Sequence, residues 1–283
     1  MAIALPRRRD RSDSIGTQIV TPAADPYSPT GIARRVEAVG VRKAQLPLVP
    51  TMVLGVLGGA FIAFGAMLYT AVVTGSTLGS GPTRLLGGAA FSLGLLLVVV
   101  AGAELFTGNN LIAMAWASGK VSTRQVLRNW SLVYLANFVG AFGAALLMSL
   151  ADGLLVGGDG VRSTALAIAE AKLALDPVTA FARGVLCNVL VCLAVWLCFA
   201  ARDVAGKLLA ILPPVSAFVA LGFEHSVANM YLFPVAWLAG AEGMTAADVA
   251  VNLAAVTMGN IVGGSGLVAL VYWLCYLRDT PAV

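Results

Sequence analysis

Six apolar stretches, each long enough to cross a lipid bilayer as a helix, dominate this sequence. A helix needs about 18 to 20 apolar residues to cross some 30 Å of hydrocarbon. The runs are continuous and lack the two-residue alternation of a membrane β-barrel, and only 11% of the residues are charged. The sequence therefore predicts an all-α membrane protein. The stretches cover roughly residues 48–74, 83–118, 126–151, 178–201, 207–239 and 248–277.

The second and fifth stretches are too long for one straight crossing, and each contains a polar interruption. Residues 102–109 and 222–229 both read Gly-x-Glu-x-x-x-x-Asn, and the second contains His225, the only histidine of the chain. Ionisable groups at membrane depth are costly and usually mark a pathway. We therefore expect both helices to be broken at mid-membrane, and the chain to move a solute across the membrane.

A second pair of similar motifs extends the similarity between the two halves of the sequence. Asn137-Phe-Val-Gly140 in the third stretch resembles Asn260-Ile-Val-Gly263 in the sixth. Because each half has three crossings, an odd number, the halves must have opposite orientations in the membrane. This pattern predicts an inverted 3+3 repeat whose discontinuous helices meet near the midplane.

Charge orients the predicted bundle and defines its ends. Fourteen of the 18 lysines and arginines lie in the first 47 residues, the two loops at 118–128 and 202–207, and the C-terminus. Positive charge marks the cytoplasmic side, so we expect an inner-membrane protein with both termini in the cytoplasm. We expect no cleavable signal peptide, because residues 1–47 are polar and contain no apolar core of that kind. Residues 1–28 are predicted to form a basic, partly disordered tail that contacts lipid headgroups rather than nucleic acid. We expect a helix from about Pro29 to Val41, a channel domain over 29–278 and a short tail over 279–283.

Other classes of function fit the residues less well. The four cysteines, none in a CxxC pair, and the one histidine do not form a usual zinc site, so no metal or cofactor is expected. The segment Gly264-Ser265-Gly266 resembles a serine nucleophile only weakly, and we interpret its small residues as helix-packing positions. A membrane enzyme would need a nucleophile with a base, or several metal ligands, and one histidine cannot serve a di-metal site. A purely structural or sensory membrane protein would not need two polar breaks.

Four motifs in order resemble the formate/nitrite transporter family over about residues 26–278. They are Phe91-Ser-Leu-Gly-Leu95 leading to Ala101-Gly-Ala-Glu-Leu-Phe-Thr-Gly-Asn109, Gly184-Val-Leu-Cys-Asn188, Gly222-Phe-Glu-His-Ser-Val-Ala-Asn-Met230 and Gly259-Asn-Ile-Val-Gly-Gly264. The resemblance implies an aquaporin-like protomer with its own pore, assembly as a homopentamer, and small monovalent anions as substrates. Formate is the first expectation and nitrite the second, with hydrosulfide also open, because the residues do not separate them.

The resemblance also implies roles for single residues. His225 is the central pore histidine, hydrogen-bonded to Thr107; Asn188 lines the pore near it, and Lys172 attracts anions to the vestibule. The apolar constrictions are assigned to four residues, Phe91, Leu95, Phe106 and Phe218.

Physical chemistry supports some of these roles and leaves others open. A histidine can donate a hydrogen bond to a weak-acid anion, or a proton if it is charged. Glu104 and Glu224, with Asn109 and Asn229, are interpreted as supports of the helix breaks, the carboxylates accepting free backbone N–H groups; proton relay by the glutamates is the alternative. Lys172 would otherwise be a solvated surface lysine.

Overall fold

The computed structural model describes residues 25–156 and 158–279, and these residues form helices and their connections without a strand. Most of the predicted tails, 1–24 and 280–283, lie outside the described residues. The α-helices are α1 (Pro29–Ala44), α2 (Leu48–Val73), α3 (Ser80–Leu96), α4 (Phe106–Asn109), α5 (Ala113–Ala117), α6 (Thr123–Leu150), α7 (Gly160–Leu173), α8 (Pro177–Ala200), α9 (Val204–Ala220), α10 (Ser226–Leu238), α11 (Ala246–Ile261) and α12 (Val271–Tyr276).

The two predicted breaks are confirmed. Beyond α3 a π-helical segment runs over Leu97–Gly102, the chain is then extended through Leu105, and α4, a 3-10 turn (Asn110–Ile112) and α5 complete the second stretch. In the fifth stretch α9 and α10 are separated by residues 221–225. The other four stretches are unbroken and long enough to cross a membrane: Leu48–Val73, Thr123–Leu150, Pro177–Ala200 and Ala246–Tyr276.

Glycines allow the long helices of each half to approach closely. Helix α2 packs along α6 in the first half, and α8 packs along α11 in the second. A Cβ on Gly59 of α2 would collide with the carbonyl oxygen of Asn137, and one on Gly259 of α11 with that of Phe181. Close helix approach in lipid depends on such small residues, which explains part of the chain's high glycine content.

The sixth stretch contains a feature that the sequence did not predict. Residues Val262–Leu270 form a π-helical segment, which includes the glycine-rich run at 263–266. π-Helical turns are uncommon and often lie at functional sites. The hydroxyl of Ser265 in this segment donates to the carbonyl of Asn110 at 3.1 Å, so this serine joins the two halves and its hydroxyl is engaged structurally.

Local signals in the sequence explain where helices begin. Asp176 accepts from the backbone N–H groups of Val178 and Thr179 at 3.0 Å each and caps α8, whose first residue is a proline, as expected at a helix start. The hydrogen bond from the Thr179 hydroxyl lowers the pKa of the Asp176 carboxyl below its ordinary value. Helix α1 extends three residues past the predicted end and is held by an ion pair between Glu37 and Lys120.

Candidate functional site

His225 and Thr107 meet at the centre of the molecule, as the sequence led us to expect. The Nε2 atom of His225 lies 3.0 Å from the Thr107 hydroxyl, and both residues are buried. His225 is the N-cap of α10, and its Nδ1 accepts the backbone N–H of Ala228 at 3.0 Å. Since an accepting Nδ1 carries no proton, a neutral ring has its proton on Nε2. His225 is therefore a hydrogen-bond donor toward Thr107 and the space beside it.

Two cavities approach this pair from opposite sides. The larger, of about 520 Å³, is lined by Leu95, Leu105 and Lys43, and the smaller, of about 170 Å³, by Phe91, Phe218 and His225 among others. Leu95 and Phe91 are four residues apart on α3, a rise of about 6 Å. The barrier between the cavities is therefore only about one helical turn thick. We call it the septum, and the cavities the inner vestibule and the outer vestibule respectively.

Aromatic rings form the outer face of the septum. The rings of Phe91 and Phe218 meet edge to face with centroids 5.7 Å apart, and the Phe218 ring stacks on the imidazole of His225 at 6.0 Å. The space beside these residues is therefore bordered by aromatic rings and by one hydrogen-bond donor, His225. Three of the four predicted constriction residues, Phe91, Leu95 and Phe218, line one or the other vestibule.

Phe106, the fourth predicted constriction residue, lies away from both vestibules. Its ring packs edge to face against Tyr134 and Trp130 of α6, at centroid distances of 5.0 and 6.3 Å, and it lines neither vestibule. The preceding residue, Leu105, has extended backbone and lines the inner vestibule. Successive side chains of extended backbone point in opposite directions. Leu105, and not Phe106, is therefore the apolar residue of this break that faces the inner vestibule.

Lys172 and Glu224 form part of a closed ring of hydrogen bonds at the outer vestibule. The Lys172 ammonium lies 2.8 Å from Glu224 Oε1, and the other carboxylate oxygen accepts from Asn229 at 2.8 Å. The Asn229 amide also donates to Asn252 Oδ1 at 2.9 Å, and Asn252 donates to the carbonyl of Lys172 at 3.0 Å. Most of the charge on Lys172 is therefore balanced within the ring.

The first half contains the same ring, made by Lys43, Glu104, Asn109 and Asn129. Lys43 lies 2.6 Å from Glu104 Oε1, and Asn109 donates to Oε2 at 2.6 Å. Asn109 also donates to Asn129 Oδ1 at 2.9 Å, and Asn129 donates to the Lys43 carbonyl at 3.0 Å. Two such rings related by the repeat are strong structural support for the inverted arrangement.

The backbone at each break is satisfied by an asparagine rather than by a glutamate. Asn137 accepts the N–H of Phe106 at 2.9 Å and donates to the carbonyls of Gly55 and Glu104. Asn260 accepts the N–H of Ser226 at 3.0 Å and donates to the carbonyls of Gly184 and Glu224. The glutamates lie at the breaks, but their carboxylates accept from lysine and asparagine side chains, which differs from the expected bonds to backbone N–H groups.

Asn188 is a fully buried hub between the two halves. Its amide nitrogen lies within hydrogen-bond distance of Asn110 Oδ1 and of the carbonyls of Asn260 and Thr107, at 2.8, 2.7 and 3.3 Å. Its Oδ1 has no hydrogen-bond partner among the described residues. The amide hydrogens are therefore committed to the scaffold that carries Thr107, and Asn188, predicted to line the pore, lines neither vestibule.

Three members of the two rings, Lys43, Asn129 and Asn252, were not predicted from the sequence, although the sequence repeat could have indicated two of them. Asn129 and Asn252 each precede the motif asparagine, Asn137 or Asn260, by eight residues, so the repeat could have been extended to them. Lys43 lies among the many cations of the N-terminal region, and only the fold brings it to Glu104. No group of three potential metal ligands occurs among the described residues.

Comparisons with known proteins agree with this architecture. Residues 30–274 match the family described as formate/nitrite transporter. The chain is 42% identical over 250 residues to the Uncharacterized transporter YrhG of Bacillus subtilis strain 168, covering 88% of this chain and 93% of YrhG. It is 38% identical over 270 residues to the formate channel FocA of Escherichia coli K12, covering 89% and 95% of the two chains.

A solved structure supports the same conclusion. The chain resembles a pentameric formate channel with formate bound, with a TM-score of 0.76 and 40% identity over 82% of this chain and 98% of that one. The similarity includes both the sequence and the arrangement of the helices.

Proposed function

This chain belongs to the formate/nitrite transporter family, and from that premise we propose that it carries formate across the inner membrane through a pore in each protomer of a homopentamer. Both the formate channel FocA and the formate-bound pentameric channel are similar along nearly their whole length. The observation that carries the proposal is the Thr107–His225 pair, a hydrogen-bond donor inside an apolar septum that separates two vestibules.

The septum sets the chemistry of passage. Moving a bare anion into an apolar slit is costly because its hydration is lost, whereas a thin barrier with one donor limits that cost. When an anion reaches the septum, the Nε2–H of His225 can turn from the Thr107 hydroxyl to an anion oxygen. The Thr107 hydroxyl, which accepts from Nε2–H in the pair, still has its own proton to donate, so two donors replace part of the hydration shell.

The bonding of the imidazole favours hydrogen bonding over proton donation by His225. With Nδ1 accepting from Ala228, a neutral ring that gave up its Nε2 proton would become an imidazolate, a far stronger base than a carboxylate. A doubly protonated ring would lose the Ala228 bond. If neutral formic acid crosses the septum, we therefore assign the source of its proton to the solvent in the vestibule. The role assigned to His225 is to stabilise the anion before it is protonated.

Orientation is part of the proposal. The side that carries most of the lysine and arginine residues, including Lys43 and the loop at 118–128, is assigned to the cytoplasm. The inner vestibule then opens toward the cytoplasm, and the outer vestibule with Lys172 toward the other side.

Stopped-flow light scattering of proteoliposomes tests the function. Formate, nitrite, hydrosulfide, chloride and glycerol are compared from pH 5 to 8, and we expect fast formate uptake with glycerol excluded. His225→Asn lacks the Nε2 donor and should lower formate uptake by about tenfold or more, the effect of losing one charge-assisted hydrogen bond. Absence of anion flux in the wild type would disprove the function. Unchanged flux in His225→Asn at every pH and formate concentration would disprove the role of the histidine.

A further inference from the structure

The outer vestibule has two arginines that the pore mechanism above does not use. Arg84, near the start of α3, and Arg183, in the first turns of α8, both line this cavity. Neither has a carboxylate within ion-pair distance among residues 25–156 and 158–279. Lys172, the other cation of the vestibule, is paired with Glu224 at 2.8 Å. The unbalanced positive charge of the outer vestibule therefore comes from the arginines.

The two guanidinium groups converge on one point, beside Gly222. Arg183 Nη1 donates to the Gly222 carbonyl at 3.3 Å. A Cβ on Gly222 would stand 3.5 Å from Arg84 Nη2 and 3.8 Å from Arg183 Nη1, so these two nitrogens lie within about 7 Å of each other. Gly222 has a φ of 70°, and because it has no side chain, the space between the guanidinium groups stays open.

Two like charges held this close without a counter-ion repel each other. An anion between them would remove the repulsion and gain charge-assisted hydrogen bonds from both sides. The planar guanidinium matches the two oxygens of a carboxylate better than the ammonium of a lysine does. The arrangement is therefore suited to a small planar anion with two oxygens, and less to chloride.

We propose that Arg84 and Arg183, with Gly222 between them, form a binding site that holds one small monocarboxylate in the outer vestibule before it reaches the septum. The site rests on the proposed function, because it supplies the anion that His225 then receives. His225, Phe218 and Gly222 line the same cavity, so the step from this site to the septum needs no further opening. Lys172, with its charge balanced by Glu224, contributes mainly to the support of the break.

The test uses Arg84→Gln, Arg183→Gln and the double variant, with Arg162→Gln as the matched control. Arg162 does not line the vestibule; it pairs with Asp159 at 3.8 Å and donates to the Ala239 carbonyl. Initial rates of formate uptake are measured against formate concentration in proteoliposomes. We expect the half-saturating concentration to rise about threefold or more in each single variant and about tenfold in the double variant, with the maximal rate little changed.

Lysine variants distinguish a specific binding site for the anion from general attraction of the anion by positive charge. The double variant Arg84→Lys/Arg183→Lys keeps both charges but loses the planar guanidinium groups. We therefore expect the half-saturating formate concentration of this variant to stay at least about threefold above that of the wild type. Full recovery by lysine would overturn the site, because charge alone would then suffice. A half-saturation in the double glutamine variant within about twofold of the Arg162→Gln value would also overturn it.

Thermal unfolding in detergent, with added sodium formate against sodium chloride, measures binding independently of flux. A ligand that binds the folded protein raises its Tm, so the wild type and Arg162→Gln should be stabilised by formate more than by chloride, and both double variants should not. Absence of flux in the wild type would count against the proposed function. Equal stabilisation of all variants by formate would count against this site, so the two failures are distinguishable.

Discussion

Two hydrogen bonds to His225, from the Ala228 N–H and with the Thr107 hydroxyl, fix the chemistry of the septum. The imidazole is held on one side by the Ala228 N–H and on the other by the Thr107 hydroxyl, both at 3.0 Å. The first bond fixes which nitrogen carries the proton, and the second sets the direction of the donor. Thr107 lies on α4, a four-residue helix beyond the first break, so the position of this bond depends on both breaks.

Replacing Thr107 by valine removes the hydroxyl while keeping the shape of the side chain. We expect formate uptake to fall about tenfold or more, because the His225 ring loses its orienting partner and the anion loses one donor. Thr107→Ser keeps the hydroxyl and should retain most of the flux. Both are measured in proteoliposomes at equal protein density.

The matched control is Thr70→Val on α2. Among the residues that the structure describes, the buried Thr70 hydroxyl bonds only the Ala66 carbonyl of its own helix, at 2.8 Å, so the flux of this variant should stay near that of the wild type. If Thr107→Val transports formate as fast as Thr70→Val, the proposed role of Thr107 is wrong.

At the level of helices, each break is stabilised by the third long helix of its own half. Asn137 of α6 bonds the backbone on both sides of the first break, and Asn260 of α11 does the same at the second. Backbone polar groups exposed inside a membrane must find partners within the protein. A broken helix is therefore possible here because one amide side chain provides both a donor and an acceptor.

We predict that Asn260→Leu, which keeps the number and branching of the side-chain heavy atoms, destabilises the protein. The Ser226 N–H and the carbonyls of Gly184 and Glu224 would lose their partner. At about 0.6 kcal/mol for each interhelical bond in a membrane and about 1–3 kcal/mol for each unsatisfied buried group, the expected loss is about 2 kcal/mol or more. Asn137→Leu should cost a similar amount, because its three bonds are equivalent.

Thermal unfolding of purified protein in detergent measures this loss as a lower Tm. Met258→Leu, an exposed position on the same helix, is the control and should leave Tm nearly unchanged. A Tm of Asn260→Leu equal to that of the control would mean that the backbone at the break is satisfied in another way.

The breaks could be predicted because an apolar run too long for one crossing and a glutamate inside it are visible in one sequence. The supports were harder to predict. Lys43 lies 61 residues before Glu104, in a segment with several other cations, and periodicity does not relate two residues at that distance. Phe106 and Leu105 are neighbours with similar polarity, and only the backbone angles at the break decide which one faces the vestibule.

At the scale of the whole molecule, the inverted repeat gives the two mouths of the pathway similar chemistry and different size. Each vestibule has a lysine paired with a buried glutamate, Lys43 on one side and Lys172 on the other. The cavity volumes, about 520 and 170 Å³, differ by a factor of about three. Among the described residues, two cations without an ion pair, Arg84 and Arg183, line the smaller cavity, whereas Lys207 alone does so in the larger one, so the smaller cavity carries more uncompensated positive charge.

The orientation of the bundle gives a prediction that uses the whole chain. Arg124 and Asp159 are exposed; Arg124 lies in the first turn of α6 and Asp159 lies beyond its other end. The 28 residues of α6 extend about 42 Å. Arg124 and Asp159 must therefore lie on opposite sides of the membrane. With the cation-rich side in the cytoplasm, Asp159→Cys should react with a membrane-impermeant maleimide in intact cells, and Arg124→Cys only after the cells are permeabilised.

Both substitutions are made in a Cys275→Ser background, since Cys187, Cys192 and Cys198 are buried and Cys275 is exposed. Labelling of that background alone is the control. Labelling of Arg124→Cys, and not of Asp159→Cys, in intact cells would reverse the assignment of the two vestibules. The arginine site would then face the cytoplasm, and the direction from which it supplies the septum would be inverted with it.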